Sequence, residues 1–310
     1  MTVPLVVAVV GATATGKSDL ALDLAEHLGG EVVNADASQL YEGMDIGTAK
    51  VPVSQRRGIP HHQLDVLEVT EEASVAAYQA ATRADIGTIQ SRGAHPVLVG
   101  GSGLYVRAAL DRLDIPPTDP RVRIRLEEEA HAAGTPTMYA RLRASDPVAA
   151  QAIQPNNRRR VIRALEVIEL TGRPFSATMP GREYHQPTLT LGLRAPRDLL
   201  DHRIADRVHR MWASGLLDEV RTLETRGLRR GRTASRALGY AQALAQLDGV
   251  LGEDEAKEQT IAMTRRYARR QESWFGPDPR VHWLDSGSPD VVDRALALVR
   301  AAIRDNGGHG

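Results

Sequence analysis

Cysteine is absent from this 310-residue chain, and lysine supplies only three of its 39 basic residues. Without cysteine the chain can form no disulfide, perform no thiolate chemistry and hold no Cys-ligated zinc, so any bound metal must use oxygen or imidazole ligands. Arginine therefore carries nearly all of the positive charge, and its planar guanidinium suits bidentate recognition of phosphate. A GC-rich genome would produce the same bias and is our preferred explanation for it.

The sequence also lacks a long apolar run. Its apolar stretch at residues 3–10 has no basic flank and is far shorter than the ~20 apolar residues that cross a bilayer. It therefore predicts a buried strand, in a cytoplasmic protein that does not associate with membranes. The 39 acidic residues balance the 39 basic residues, which disfavours binding of nucleic acid through overall charge. Any contact with nucleic acid must come from local basic patches.

Hydrophobic periodicity predicts an α/β core with an interruption. Short strand-like runs alternate with amphipathic segments at the start of the chain, as in parallel α/β sheets. A proline-rich break at residues 114–120 precedes a charged, helical pattern without convincing strands. We predict a P-loop NTPase-like three-layer αβα core with a parallel sheet, interrupted by an all-helical insertion domain. The predicted strands are 6–10, 31–35, 96–99, 189–193 and 281–284, and the predicted domains are 1–116 (core), 117–188 (helical insert, contacting RNA) and 189–310 (core with C-terminal helices).

A phosphate-binding motif directly follows the first predicted strand. It matches the pattern G-x-x-x-x-G-K-[ST] between a strand and a helix, the context that supports it. Backbone N–H groups at the start of a helix favour anions, Lys17 adds a positive charge, and the Ser18 hydroxyl can bind Mg²⁺. The motif predicts a site for a diphosphate or polyphosphate with Mg²⁺, but leaves open whether those phosphates are hydrolysed, transferred or released. Its residues are Gly11, Ala12, Thr13, Ala14, Thr15, Gly16, Lys17 and Ser18.

Two further polar groups follow predicted strands. Asp36 comes after the strand at 31–35, where parallel sheets build their sites, and is a catalytic candidate. The strand at 96–99 leads into a glycine-rich turn that contains Ser102 and no carboxylate. Such a turn admits close approach of a phosphate or a leaving oxygen, with Ser102 as a hydrogen-bond donor, although a plain turn is an equal alternative.

Beyond these residues the chain resembles the tRNA dimethylallyltransferase family, also called tRNA isopentenyltransferases or IPP transferases. The similarity is spread in the family order over nearly the whole sequence, which makes coincidence implausible. Three positions depart from the family pattern, namely Ala37, Asn157 and Ser102. The matching blocks are 11–18, 36–41, 43–50, 60–62, 64–66, 100–105, 156–160, 163–167, 215–220, 237–242 and 267–275.

The resemblance implies transfer of a dimethylallyl group from dimethylallyl diphosphate to N6 of the adenosine 3′-adjacent to the anticodon in tRNA. It implies Asp36 as general base, Lys17, Ser18 and Thr13 as ligands of the diphosphate with Mg²⁺, and Ser102 near the reacting centre. Arg123 would add charge or position tRNA, although a solvated charged helix face is the alternative. A monomer is expected, although no residue determines the oligomeric state.

The target base must leave the stacked anticodon loop to be modified, so tRNA-binding residues are expected around the site. Basic patches that could hold the RNA backbone occur at 159–163, in the acid-free run 226–236 and in the helical stripe 265–270, although each could be an ordinary solvated face. The predicted tRNA-contacting residues are Asp36, Ala37, Ser38, Gln39, Arg159, Arg160, Val161, Ile162, Arg163, Arg236, Arg269 and Arg270.

Three other functions remain open from the residues alone. A prenyltransferase acting on free adenine nucleotides would share the loop and Asp36 but would not need the helical insert. A small-molecule kinase would need only the loop, yet no lid signature is recognisable. A non-catalytic RNA-binding module would not depend on Asp36. Adjacent His61 and His62 would point to opposite faces of a strand and so could not share a metal ion, and the three tryptophans are expected in the core.

Overall fold

The computed structural model describes residues 3–178 and 181–307, and the chain folds as two compact units. The first unit comprises Met1–Leu110 and Gln186–Gly310, and the second comprises Asp111–His185. Within the described ranges, no helix is both long and apolar enough to cross a membrane.

The first unit alternates strands and helices along the chain, as its periodicity predicts. Its strands are β1 (Val6–Gly11), β2 (Glu31–Asn34), β3 (His61–His62), β4 (Pro96–Gly100), β5 (Thr188–Arg194) and β6 (Val281–Asp285). Its helices are α1 (Lys17–Leu28), α2 (Val75–Ser91), α3 (Gly103–Leu110), α8 (Arg197–Ala213), α9 (Leu216–Thr225), α10 (Tyr240–Leu247), α11 (Glu253–Phe275) and α12 (Val291–Gly307), numbered in chain order with the second unit's α4–α7 given below.

The six strands form one parallel sheet in the order β3-β2-β4-β1-β5-β6. The central strand β1 is buried along its whole length, which explains its unbroken run of small and β-branched residues. Because all strands run in the same direction, the segments that follow β1, β2 and β4 emerge at one edge of the sheet.

Two apolar layers cover the sheet. Val7 and Val9 pack with α1 and α12 in one cluster, and β1 and β4 also contact α11 and α3. Since successive side chains of a strand point to opposite faces, helices must lie on both sides of β1. This arrangement confirms the predicted three-layer α/β fold.

The second unit is helical. It contains α4 (Pro120–Ala133), α5 (Thr135–Ser145), α6 (Pro147–Ala152) and α7 (Arg158–Thr171), packed around a core that includes Leu126, Leu142 and Leu165. The unit spans Asp111–His185, whereas the sequence predicts an insert at 117–188. The earlier start has a physical reason, because Asp111 pairs with Tyr184 and the Arg112 N–H donates to Glu183 O, so both connecting segments belong to this unit.

Candidate functional site

The phosphate loop joins β1 to α1 in the conformation that its motif predicts. Ala14 and Gly16 have φ angles of 64° and 86°, in the left-handed region that turns the chain into the helix. Helix α1 then begins at Lys17. The buried Thr15 hydroxyl donates to the Ala12 carbonyl at 2.9 Å and so closes the turn from within. The loop therefore presents a helix N-terminus, with its partial positive charge, to the space above the sheet.

Lys17 is folded back onto its own loop. Its Nζ donates to the Ala12 carbonyl oxygen at 2.6 Å. Burial lowers the pKa of Lys17 to about 8, an effect that the negative charge of Asp36 opposes and the positive charge of Arg207 reinforces. An anion in the loop would favour the protonated form further, because it would add negative charge next to Lys17.

Asp36 lies at the end of β2, where local hydrogen bonds fix its backbone and side chain. Its backbone N–H donates to Asn34 Oδ1 at 2.9 Å, and its Oδ1 accepts from Ser38 N–H at 2.9 Å. The second bond caps the short 3₁₀ helix Ala37–Leu40. One carboxylate oxygen is thus used for capping, and the half-buried carboxyl group remains next to the phosphate loop.

A cleft of about 590 Å³ brings most of the phosphate loop together with the predicted catalytic residue Asp36. Thr13 through Ser18, Asp36 and Gln39 line it, as do Gly100 and Gly101 of the glycine turn. Three arginines from α8, which are not among the predicted site residues, line the same cleft. They are Arg203, Arg207 and Arg210.

The three arginines reach the cleft because they lie on one helical face, at positions i, i+4 and i+7. Arg207 Nη1 donates to the Thr13 hydroxyl at 2.9 Å, and its Nη2 donates to the Thr48 carbonyl at 3.3 Å. Burial lowers the pKa of Arg207, although Asp36 opposes the shift. The spacing of these arginines was visible in the sequence, but it predicts only a helical face and does not place that face at the phosphate loop.

The glycine turn lies against the Asp36 segment, and Ser102 connects the two. Ser102 Oγ accepts from the Ala37 N–H at 3.2 Å, and the Tyr267 hydroxyl lies 3.5 Å from the same oxygen. Burial and the charge of Asp36 raise the pKa of Tyr267 to about 12. The phenol therefore stays protonated at neutral pH and can donate a hydrogen bond toward Ser102.

Helix α11 supplies a further group that is not among the predicted site residues, Gln271. Its Oε1 accepts from the Thr13 N–H at 2.8 Å, and its Nε2 donates to the Gly101 carbonyl at 3.0 Å. One buried amide thereby joins the phosphate loop to the glycine turn.

The cleft offers few side chains that could ligate a metal ion. Among the described residues, no group of three or more His, Asp or Glu side chains is placed to hold a metal ion. His61 Nδ1 contacts the Ile59 carbonyl, and His62 Nε2 contacts Glu31. Ser18 lines the cleft beside Lys17. A single hydroxyl fits Mg²⁺, since this ion commonly takes its remaining ligands from substrate phosphates and water.

In the second unit, some of the predicted tRNA-contacting residues are exposed and others are buried. Arg159 and Arg160 are exposed in the first turn of α7, which Asn157 caps by accepting from the Arg160 N–H at 3.2 Å. Val161 and Ile162 are 0% and 4% exposed in the helical core. Their side chains pack inward, and the tRNA contact predicted for these two residues stays a prediction.

Arg123 and Arg163 both bind the buried carboxylate of Glu166. Arg163 also donates to the carbonyls of Pro116 and Pro117, at 2.7 and 2.9 Å. Burial disfavours the charge of Glu166, yet hydrogen bonds from Arg123, Thr118 and Arg163 outweigh it and lower the pKa of Glu166 to about 2. These bonds hold the start of the second unit, so the catalytic role of Arg123 and the tRNA contact of Arg163 stay predictions.

The run at 226–236 is free of acids in sequence but not in space. Three of its arginines form ion pairs with carboxylates from other segments or just outside the run, which reduces its value as a phosphate-binding patch. Arg226 pairs with Glu42 and Glu68, Arg229 with Glu224 and Asp248, and Arg232 with Glu72. Arg236 is exposed and has no carboxylate partner within the described part of the chain.

The four arginines of the stripe at 265–270 also differ in their exposure and contacts. Arg265 donates to the Asp201 carbonyl at 3.2 Å and lies 3.7 Å from its carboxylate, whereas Arg266, Arg269 and Arg270 are exposed. The stripe therefore offers three exposed guanidinium groups, including the two predicted to contact tRNA.

The expectation that all three tryptophans belong to the core is wrong for Trp274. Trp212 is buried, and Trp283 is partly buried under the guanidinium of Arg194, 4.7 Å from the ring centre. Trp274 is 39% exposed, and its indole packs against Gly103 beside the glycine turn. It therefore lies near the site and is accessible.

The fold and cleft define an α/β protein with a phosphate-loop motif and Asp36 at the carboxyl edge of its parallel sheet. Residues 39–278 match the family model described as IPP transferase. The tRNA dimethylallyltransferase of Thermobifida fusca (strain YX) is 60% identical, over 97% of this chain and 98% of the relative. That of Streptomyces avermitilis is 58% identical, over 97% of each chain. The chain belongs to the IPP transferase family.

Solved structures agree with this assignment. The full-length tRNA isopentenylpyrophosphate transferase from Bacillus halodurans superposes with a TM-score of 0.71 at 38% identity, covering 98% of each chain. A eukaryotic dimethylallyltransferase acting on tRNA superposes with a TM-score of 0.85 at 28% identity, covering 97% of this chain and 80% of that one.

Proposed function

We propose that this chain transfers a dimethylallyl group from dimethylallyl diphosphate to N6 of the adenosine 3′-adjacent to the anticodon in tRNA. The observation that carries the proposal is the cleft in which the carboxylate of Asp36 lies beside Lys17, Arg207 and the phosphate-loop N–H groups. A family of enzymes acting on tRNA provides the substrate class.

The chemistry divides between the two sides of the cleft. The N6 nitrogen attacks the allylic carbon, the carbon–oxygen bond breaks, and its electron pair leaves with the diphosphate. Asp36 accepts the N6 proton as general base. Lys17, Arg207 and the loop N–H groups stabilise the charge that develops on the departing diphosphate.

Ser102 and Tyr267 support this arrangement from the glycine turn. Ser102 holds the Ala37 N–H, directly after Asp36, and so fixes the direction of the carboxylate. The neutral phenol of Tyr267 supplies a hydrogen-bond donor without adding charge near the reacting carbon. In bound form, Mg²⁺ held at Ser18 would neutralise part of the diphosphate charge.

One chain supplies every group assigned to the diphosphate, and we propose a monomer as the active form. The exposed Arg159, Arg160, Arg236, Arg269 and Arg270 are proposed contacts for the tRNA backbone. Because the proposed substrate is tRNA, we assign the reaction to the cytoplasm.

The test measures transfer of radiolabel from dimethylallyl diphosphate with Mg²⁺, with unmodified tRNA, AMP and ATP offered in parallel. We expect label in tRNA. The Asp36→Asn variant keeps an oxygen to cap the Ser38 N–H but removes the base, so kcat should fall by about 10²–10⁴-fold with tRNA affinity retained. The exposed Asp206 on α8 provides the control, since Asp206→Asn should leave kcat unchanged.

Other outcomes identify the alternatives. Label only in AMP or ATP would indicate a free-nucleotide prenyltransferase. Phosphate release from ATP without prenyl transfer would indicate a kinase or an NTPase. Binding of tRNA without any transfer, unchanged by Asp36→Asn, would indicate an RNA-binding module.

A further inference from the structure

A single carboxylate on α9 receives the backbone N–H groups of three successive residues from a distant segment. Glu219 Oε2 accepts from the N–H groups of Asp45 at 3.1 Å and Ile46 at 2.7 Å, and Oε1 accepts from Gly47 at 3.3 Å. The Tyr240 hydroxyl donates to Oε1 as well. Four donors on one carboxylate fix the conformation of the segment, because charge-assisted hydrogen bonds are stronger than neutral ones.

Tyr240 reinforces this contact from the other side. Its side chain is completely buried, and its ring occupies the space where a side chain on residue 47 would lie, so only glycine fits there. Burial and the charge of Glu219 raise the pKa of Tyr240 well above its usual value. The phenol therefore remains a hydrogen-bond donor to Glu219 at all physiological pH values.

Thr48 directly follows the three residues that Glu219 binds, and it contacts the diphosphate site. The Thr48 carbonyl accepts from Arg207 Nη2 at 3.3 Å and from Gln39 Nε2 at 3.1 Å. The other end of the Arg207 guanidinium donates to the Thr13 hydroxyl. Within the described part of the chain, no carboxylate forms an ion pair with Arg207. Two neutral oxygens thus determine its orientation, and Thr48 provides one of them.

We infer that Glu219 is a positioning residue for the transfer reaction. It fixes segment 45–47, this segment fixes the Thr48 carbonyl, and that carbonyl directs the guanidinium of Arg207 toward the diphosphate. The inference rests on the proposed function, which assigns Arg207 to the leaving diphosphate. Glu219 itself contacts neither substrate.

The test compares Glu219→Ala, Glu219→Gln and Asp218→Asn in the full chain. Asp218 is the matched control, since it also lies in the first turn of α9 but is exposed and pairs with Arg221. The readouts are affinity for inorganic pyrophosphate with Mg²⁺, measured by calorimetry, the KM for dimethylallyl diphosphate, and Tm. Glu219→Ala should weaken pyrophosphate binding and raise the KM by about ten-fold, with the KM for tRNA little changed.

Glu219→Gln should keep most of the pyrophosphate affinity that Glu219→Ala loses, and its KM for dimethylallyl diphosphate should stay near that of the parent. Its amide oxygen can still accept from Asp45 and Ile46, and its amide N–H can donate to the Tyr240 oxygen. Asp218→Asn should match the parent. A fall in Tm for Glu219→Ala with pyrophosphate affinity and KM unchanged would overturn the inference and leave a purely structural role.

A double-mutant cycle tests the route through Arg207. If Glu219 acts through that guanidinium, Glu219→Ala added to Arg207→Ala should weaken pyrophosphate binding by less than about two-fold further. If the two substitutions weaken pyrophosphate binding independently, so that their fold-losses multiply in the double variant, the inference is overturned. If the parent binds pyrophosphate but transfers no label, the proposed function fails while this comparison still decides the role of Glu219. A parent that binds no pyrophosphate would refute both.

Discussion

The side-chain oxygen of Gln271 accepts a hydrogen bond from the backbone N–H of Thr13 at 2.8 Å, across 258 positions of sequence. The same amide donates to the Gly101 carbonyl. A helix near the end of the chain therefore holds together two loops at the carboxyl edge of the sheet, and the shape of the diphosphate site depends on that helix.

Gln271→Ala should consequently damage both stability and diphosphate binding. The Gly101 carbonyl would lose a buried donor, at a cost of about 1–3 kcal/mol, and the phosphate loop would lose an anchor. We expect the KM for dimethylallyl diphosphate to rise by about ten-fold. The control is Gln259→Ala, an exposed glutamine of the same helix. Equal effects of the two substitutions would contradict the anchoring role.

Diphosphate affinity should depend on pH through Lys17. Because the pKa of Lys17 is lowered to about 8, the free protein loses this positive charge as pH rises through about 8. Binding of dimethylallyl diphosphate in the absence of tRNA should therefore weaken above pH 8. Lys17→Arg should abolish this dependence, since arginine stays charged, and Lys17→Met should bind weakly throughout. Calorimetry between about pH 7 and 9.5 measures the affinity of each variant for dimethylallyl diphosphate. If Lys17→Arg showed the same pH profile as the parent, Lys17 would be excluded as the source of the pH dependence.

Gly103→Ala should destabilise the chain and impair transfer. A methyl group at residue 103 would overlap the indole of Trp274, so the ring or the start of α3 must move. Such overpacking typically costs about 1–3 kcal/mol. Gly87 in α2 is the matched control because nothing lies within 4 Å of an added methyl group. Gly87→Ala should stabilise by about 0.5–1 kcal/mol through helix propensity. Thermal unfolding of both variants tests this prediction, which a stable Gly103→Ala would refute.

Glu166 should contribute pH-dependent stability to the second unit. Its pKa is lowered to about 2 in the folded chain, so the unfolded state binds protons first as pH falls. The stability that Glu166 provides is complete above its unfolded pKa of about 4.3 and is lost between there and about pH 2. Glu166→Gln should reduce Tm at pH 7 and flatten its fall on acidification.

Glu169 provides the comparison on the same helix. It pairs with Arg125 and Arg141, but its side chain is 35% exposed, whereas that of Glu166 is 0% exposed. Exposed pairs contribute about 0–1 kcal/mol, so Glu169→Gln should change Tm only slightly. If Glu169→Gln lowered Tm more than Glu166→Gln does, burial would not determine how much these ion pairs stabilise the unit.

The sequence by itself determined the phosphate loop, Asp36 and five of the six strands, because each has a local signal. A loop between a strand and a helix, a carboxylate after a strand and a run of β-branched residues are read within a few positions. Strand β3 escaped prediction because two half-buried histidines carry no periodicity. The insert was predicted from its helical pattern, but its first and last residues depend on the pairing of Asp111 with Tyr184.

Only the tertiary structure decided which charged and polar side chains serve the site. The arginines of α8 and the amide of Gln271 reach the phosphate loop through packing against distant segments, and no local pattern indicates that packing. The same holds for Arg226 and Arg229, which stand in an acid-free stretch but are neutralised by carboxylates from elsewhere. Charge acts through space, so the folded chain alone determines whether an arginine meets a carboxylate or remains available to a phosphate.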